Sequence, residues 1–158
     1  MINPWFTNSS LDTCSLNPAS PVEAIAVEEI LRLHTERGLS LVISHSTKRE
    51  FDHPNTPQAV KEQASSKIFT VSVELNPQEM TIKQRLHDLI VGNGKASTYA
   101  ADAEHIFEAQ KYGSYFLTED RRLLGKADAV CTICGLVVLL PSDFLRMVKQ
   151  HPAAEVGH

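Results

Sequence analysis

The chain has 158 residues, 42% hydrophobic and 22% charged, with eight Pro and seven Gly. That length suits one domain that buries an apolar core without a metal or a disulfide, and the composition excludes disordered and collagen-like classes. Fifteen Lys and Arg against 19 Asp and Glu leave a net charge of -4, which excludes a binder that holds polyanions by bulk positive charge; contact with phosphate would need a local basic patch.

Trp5 to Leu11 is a weak strand pattern, with Asp12 where a first strand should end. Ser20, Pro21 and Glu23 read as N-cap, first helical residue and capping-box acid of a helix with Val22, Ala26, Ile30 and Leu33 at helical spacing, stopped by Gly38. Leu39 to Ser44 is a short apolar run with a β-branched centre, the pattern of a buried parallel strand. A second helix is expected from near Ser46. His53 to Pro57 breaks the chain, and Gln58 to Ser66 is weakly helical. Phe69, Val71, Val73 and Leu75 alternate with polar residues as in a half-buried strand, with a loop as the competing reading.

Asn76, Pro77 and Glu79 repeat the cap, proline and acid arrangement and open a helix towards Ile90, ended by Gly92-Asn93-Gly94. A further helix spans Tyr99 to Lys111, and Gly113 leads into a strand from Tyr115 to Thr118. One helix from Arg121 to Cys134, the apolar strand Leu136 to Leu140 and a helix from Ser142 to Lys149 complete the series. Alternating short apolar strands and helices predict an α/β fold, a three-layer α/β/α domain around a mainly parallel sheet. No repeat or linker divides it, so a single domain is expected over residues 1–150, followed by a tail at 151–158. The longest apolar run is strand-sized, Met1 to Ser10 lacks the marks of a secretory signal, and Cys14, Cys131 and Cys134 form no even disulfide framework. A cytoplasmic chain with no membrane partner is the expectation.

In an open parallel sheet, ligands bind beyond the carboxyl ends of the strands. Acids gather there: Asp12 after the first strand, Glu50 within two turns of the second, and Asp120 after the strand ending at Thr118. Asp102 lies near the start of the helix before that last strand. Carboxylates brought together repel unless a cation compensates them, and oxygen donors of this kind suit Mg²⁺ or Mn²⁺. Such an ion polarises a phosphodiester and activates water, so phosphodiester hydrolysis is the chemistry that follows. The competing reading of each acid alone is a helix cap or turn residue.

Three segments resemble the PIN domains, a family that includes metal-dependent ribonucleases and the VapC-type toxins of toxin–antitoxin pairs. Leu11-Asp12-Thr13 resembles the first acid at the end of strand one, and Ser44 to Phe51 resembles the serine/threonine-led helix with the second acid, Glu50. Asp102-Ala103-Glu104-His105-Ile106, then Ala109, Gly113 and Phe116-Leu117-Thr118-Glu119-Asp120, is similar to the third acid, helix, strand and Thr-x-Asp ending. Leu136 to Leu145 resembles the final strand and the start of the last helix. The resemblance implies that Asp12, Glu50, Asp102 and Asp120 hold the metal, with Thr118 as a supporting polar group. It also implies an RNA substrate, an antitoxin partner and a homodimer. Cys14 stands where the family often has Asn or Ser.

Lys48, Arg49, Lys95, Arg121, Arg122 and Lys126 flank the acids and offer the local positive rim that the net charge requires, against the competing reading of a solvated surface. Arg121 and Arg122, next to Asp120, are the foremost candidates for RNA contacts. Cys131 and Cys134 form a lone C-x-x-C, read as small buried thiols rather than a zinc or redox site. His105, three residues after Asp102, reads as a packed or helix-surface histidine. The expected function is a metal-dependent endoribonuclease; the alternative is a non-catalytic PIN-like module that binds RNA or protein.

Overall fold

Over residues 2–12, 20–43, 68–69 and 74–151, which the computed structural model describes, strands and helices alternate along the chain. The sheet holds β1 (Ser9–Leu11), β2 (Leu41–Ile43), β3 (Ile68–Phe69), β4 (Tyr115–Leu117) and β5 (Val137–Leu139). Its order is β3-β2-β1-β4-β5, and every neighbouring pair is parallel. Ser10 lies opposite Val42 on one side and Phe116 on the other, and Leu117 lies opposite both Leu11 and Leu139. β1 is therefore central, and the strand order reverses between β1 and β4, the place where an open α/β sheet offers a crevice to ligands.

The described helices are α1 (Pro21–Arg37), α2 (Pro77–Val91), α3 (Ala96–Tyr112), α4 (Arg121–Leu124), α5 (Ala127–Cys134) and α6 (Pro141–Gln150). They cover both faces. Leu11, Ile30, Leu33, Leu41, Ile43, Tyr115, Leu117, Phe144 and Val148 form one core, with α1 packed beside α6. Leu86, Ile90, Ile106, Phe107, Phe116, Leu123, Val130 and Val138 form the other, beneath α2, α3 and α5. β4 divides its side chains between them with the period of two that a strand imposes: Tyr115 and Leu117 enter the first core, Phe116 the second. The architecture is the expected three-layer α/β/α fold.

Local chemistry explains the element boundaries. Asn76 and Glu79 form a reciprocal capping box at α2, with Pro77 in the first turn. Gly38 ends α1 in the left-handed region at φ 75°, which an L side chain rarely adopts. Ser20, by contrast, makes no side-chain cap bond, and Glu23 does not close a capping box. Glu23 is buried and reaches across to α6, where its carboxylate accepts the Ser142 N–H at 2.8 Å and the Ser142 hydroxyl at 2.7 Å. It satisfies one orphan N–H of a different helix from the one that carries it.

The helix expected from Arg121 to Cys134 is two helices, broken at Gly125 and Lys126. Gly favours leaving a helix, and the bonds from Gly125 N–H to Arg121 O and from Lys126 N–H to Leu123 O close a turn there. β1 is a true strand despite its weak pattern. Ser9 and Ser10 are buried in it, because pairing on both sides rather than propensity places a central strand. The expected helix from Ser46, the segment Gln58 to Ser66 and most of the Phe69 to Leu75 run lie outside the described residues.

At the amino edge of the sheet, Asn8 ties three segments together. Its amide donates to Tyr112 O at 2.8 Å, its side-chain oxygen accepts the Ser40 hydroxyl at 2.5 Å, and its carbonyl accepts the Ser114 N–H at 3.0 Å. Gly113 lies so close that an added Cβ would fall 2.2 Å from Asn8 O. Gly113→Ala must displace backbone, an overpacking expected to cost about 1–3 kcal/mol. Urea denaturation measures it; an unchanged midpoint would contradict this packing.

Candidate functional site

The carboxyl ends of β1 and β4 bring two of the four predicted acids, Asp12 and Asp120, to one edge. The ladder continues past the strands, with Asp12 N–H bonded to Leu117 O at 3.0 Å and Thr118 N–H to Leu139 O at 3.1 Å. Asp12 and Thr118 are therefore neighbours, and both are buried. The Thr118 hydroxyl donates to Asp12 Oδ2 at 2.7 Å and accepts the Asp120 N–H at 3.0 Å. A hydroxyl has one hydrogen, so the direction of this relay is fixed: Thr118 holds the carboxylate with its proton and the following turn with its lone pair.

Asp120 also caps α4. Both cap bonds converge on Oδ1, from Arg122 N–H at 2.9 Å and Leu123 N–H at 3.3 Å. The competing reading of Asp120 as a cap is thus correct as geometry, and the cap fixes the carboxylate at the sheet edge. Asp102 is half-buried in α3. Gly113 and Ser114 return the chain from α3 into β4, so the helix runs back along the strand. Tyr112 to Asp102 covers about 15 Å of helix, close to the roughly 16 Å that Tyr115 to Asp120 covers in extended chain. Asp102 therefore lies on the half of α3 nearer the carboxyl ends of the strands.

Asp12, Thr118 and Asp120 are joined by hydrogen bonds; Asp102 lies in the first half of α3 and is not joined to them by any of these bonds; Glu50, Lys48, Arg49 and Cys14 lie outside the described residues. Among the described residues, no three His, Cys, Asp or Glu side chains form a group able to hold a metal ion.

The basic residues divide in two. Arg121 and Lys95 are exposed, as a rim requires. Arg122, a foremost candidate for an RNA contact from sequence, is half-buried and engaged within the fold. Its Nη2 donates to Ile90 O and, at 3.4 Å, to Val91 O, and its guanidinium carbon lies 3.5 Å from the Tyr99 ring centroid. Lys126 donates to Leu89 O at 2.9 Å. Both cations satisfy carbonyls at the end of α2, where the helix dipole favours positive charge. Sequence reasoning missed this arrangement because no local spacing joins position 99 to position 122.

His105 is buried, in line with the packed reading. The two thiols correct the expectation that both are buried. Cys131 is exposed, because it turns away from the face that buries Val130, whereas Cys134 is half-buried and its thiol donates to Val130 O at 3.3 Å. Burial pushes the Cys134 thiol above its ordinary pKa, so its reactive thiolate forms only at higher pH. Near pH 8, iodoacetamide is expected to modify Cys131 well before Cys134; peptide mapping showing equal rates would contradict this.

Comparison with family models, with characterised proteins and with solved structures finds no match to the chain.

Proposed function

We propose that the chain is a PIN-like, metal-dependent endoribonuclease that hydrolyses RNA phosphodiester bonds, with Asp12, Glu50, Asp102 and Asp120 as its acids. The observation that supports this most is the Asp12–Thr118–Asp120 relay, with Asp12 and Thr118 buried, at the carboxyl edge of the two strands that flank the switch point. Burying a carboxylate such as that of Asp12 is costly. The donors are hard oxygens, which fit Mg²⁺ or Mn²⁺ rather than a soft ion. When bound, such an ion supplies a Lewis acid for the phosphodiester and lowers the pKa of water.

The chain's own residues supply positioning. Thr118 fixes the rotamer of Asp12, and the α4 cap fixes Asp120. Arg121 stands exposed beside Asp120, where with Lys48 and Arg49 it would hold the RNA backbone by phosphate contacts. An antitoxin partner, a homodimer and a cytoplasmic location belong to the same proposal and rest on the resemblance. Among the described residues, no helix is long and apolar enough to cross a membrane.

The second reading, a non-catalytic module that binds RNA or protein, is favoured by the use of Asp120 Oδ1 as a cap and by the lack of a three-member ligand group among the described residues. Mn²⁺ titration of the pure protein separates the two. Mn²⁺ binding that depends on Asp102, together with RNA cleavage, supports the enzyme; RNA binding without turnover supports the module.

A further inference from the structure

Arg122 meets three elements at once. Its backbone N–H donates to Asp120 Oδ1 at 2.9 Å, its Nη2 donates to the final carbonyls of α2, and its guanidinium stacks on Tyr99 of α3 at 3.5 Å. The Tyr99 ring is confined on a second side, since a Cβ added at Gly94 would fall 2.5 Å from Tyr99 Cε2. Tyr99 lies about one helical turn before Asp102.

We infer that Arg122 is a positioning residue: it clamps the first turns of α3, which carry Asp102, against the turn that carries Asp120, and so sets the spacing of these two carboxylates. This rests on the metal-site reading above. A charge at the end of α2 does not by itself require Arg122, because Lys126 already supplies one at Leu89 O. What Arg122 adds is planarity. A guanidinium can bond two carbonyls with its edge while its flat face stacks on an aromatic ring, a planar geometry that the compact ammonium of lysine lacks. The clamp therefore joins α2, α3 and α4 through one side chain, next to the acid that α4 carries.

Two readouts on the full chain test this: amide hydrogen exchange across residues 96–103 and Mn²⁺ affinity by calorimetry. Arg122→Met and Arg122→Lys are expected to speed exchange in that part of α3, to leave α1 and α6 as they were, and to weaken Mn²⁺ binding about tenfold, as loss of a group that supports metal ligands does. Tyr99→Leu should reproduce both effects, and Tyr99→Phe, which keeps the ring, should restore both; this pair keeps the test valid if the Arg122 variants fold poorly. Unchanged exchange in α3 would overturn the clamp. Faster exchange with unchanged Mn²⁺ affinity would reduce Arg122 to a purely structural residue and overturn the inference, leaving the metal reading intact. A wild-type chain that binds no Mn²⁺ while the variants loosen α3 would overturn the metal reading and the positioning role together.

Discussion

Asp12→Asn is expected to lower Mn²⁺-dependent RNA cleavage by at least about 100-fold, the lower range for removing one preorganised electrostatic contact from a reacting centre, while the fold persists. Asparagine has the shape of the native side chain, and its amide oxygen can still accept the Thr118 hydroxyl that now bonds Asp12 Oδ2 at 2.7 Å. The β1 ladder is untouched, because it runs through the Asp12 backbone N–H to Leu117 O. What disappears is the negative charge. Cleavage of labelled RNA and thermal melting, measured on the same preparation, separate lost chemistry from lost folding. Full activity would remove Asp12 from the site.

Phe144→Ala is expected to destabilise the chain by about 3–5 kcal/mol, the usual cost of emptying a buried aromatic site. Phe144 is fully buried, and its ring lies tilted 5.5 Å from that of Tyr115 in the core between α1, α6 and the sheet. The surroundings have little freedom to collapse into the cavity. α6 is held at its start by Glu23 on Ser142, and near its end the Trp5 Nε1–H donates to Val148 O at 3.3 Å. Denaturation in urea gives the loss; a change under about 1 kcal/mol would mean that this core repacks freely. Activity should fall only through the unfolded fraction and return on cooling, since Phe144 lies in the layer beneath the strands rather than at their carboxyl edge.

Features decided within a few residues were legible in the sequence. Asn76, Pro77 and Glu79 carry a complete helix start, and the structure shows that start bond for bond. Thr118 and Asp120 were legible because the end of β4 can be read from an apolar run, whereas Asp12 follows a weak strand pattern and joins their edge through the pairing of β1 with β4. Features decided across the fold were not. Ser9 and Ser10 look unlike a strand, yet parallel neighbours on both sides make them one. Glu23 has the spacing of a capping box, but the start of α6 offers it stronger donors. Arg122 reads as a surface cation beside an acid, and only the packing of α2 against α3 shows where its guanidinium goes.

RNA cleavage by the pure chain, with its metal supplied, removed and returned, tests the central claim most directly. Cleavage in Mn²⁺, its loss on chelation with EDTA and its return with excess Mn²⁺ are the expected results. Cleavage that persists in chelator, or its absence at every Mg²⁺ and Mn²⁺ concentration, would contradict a metal-dependent ribonuclease.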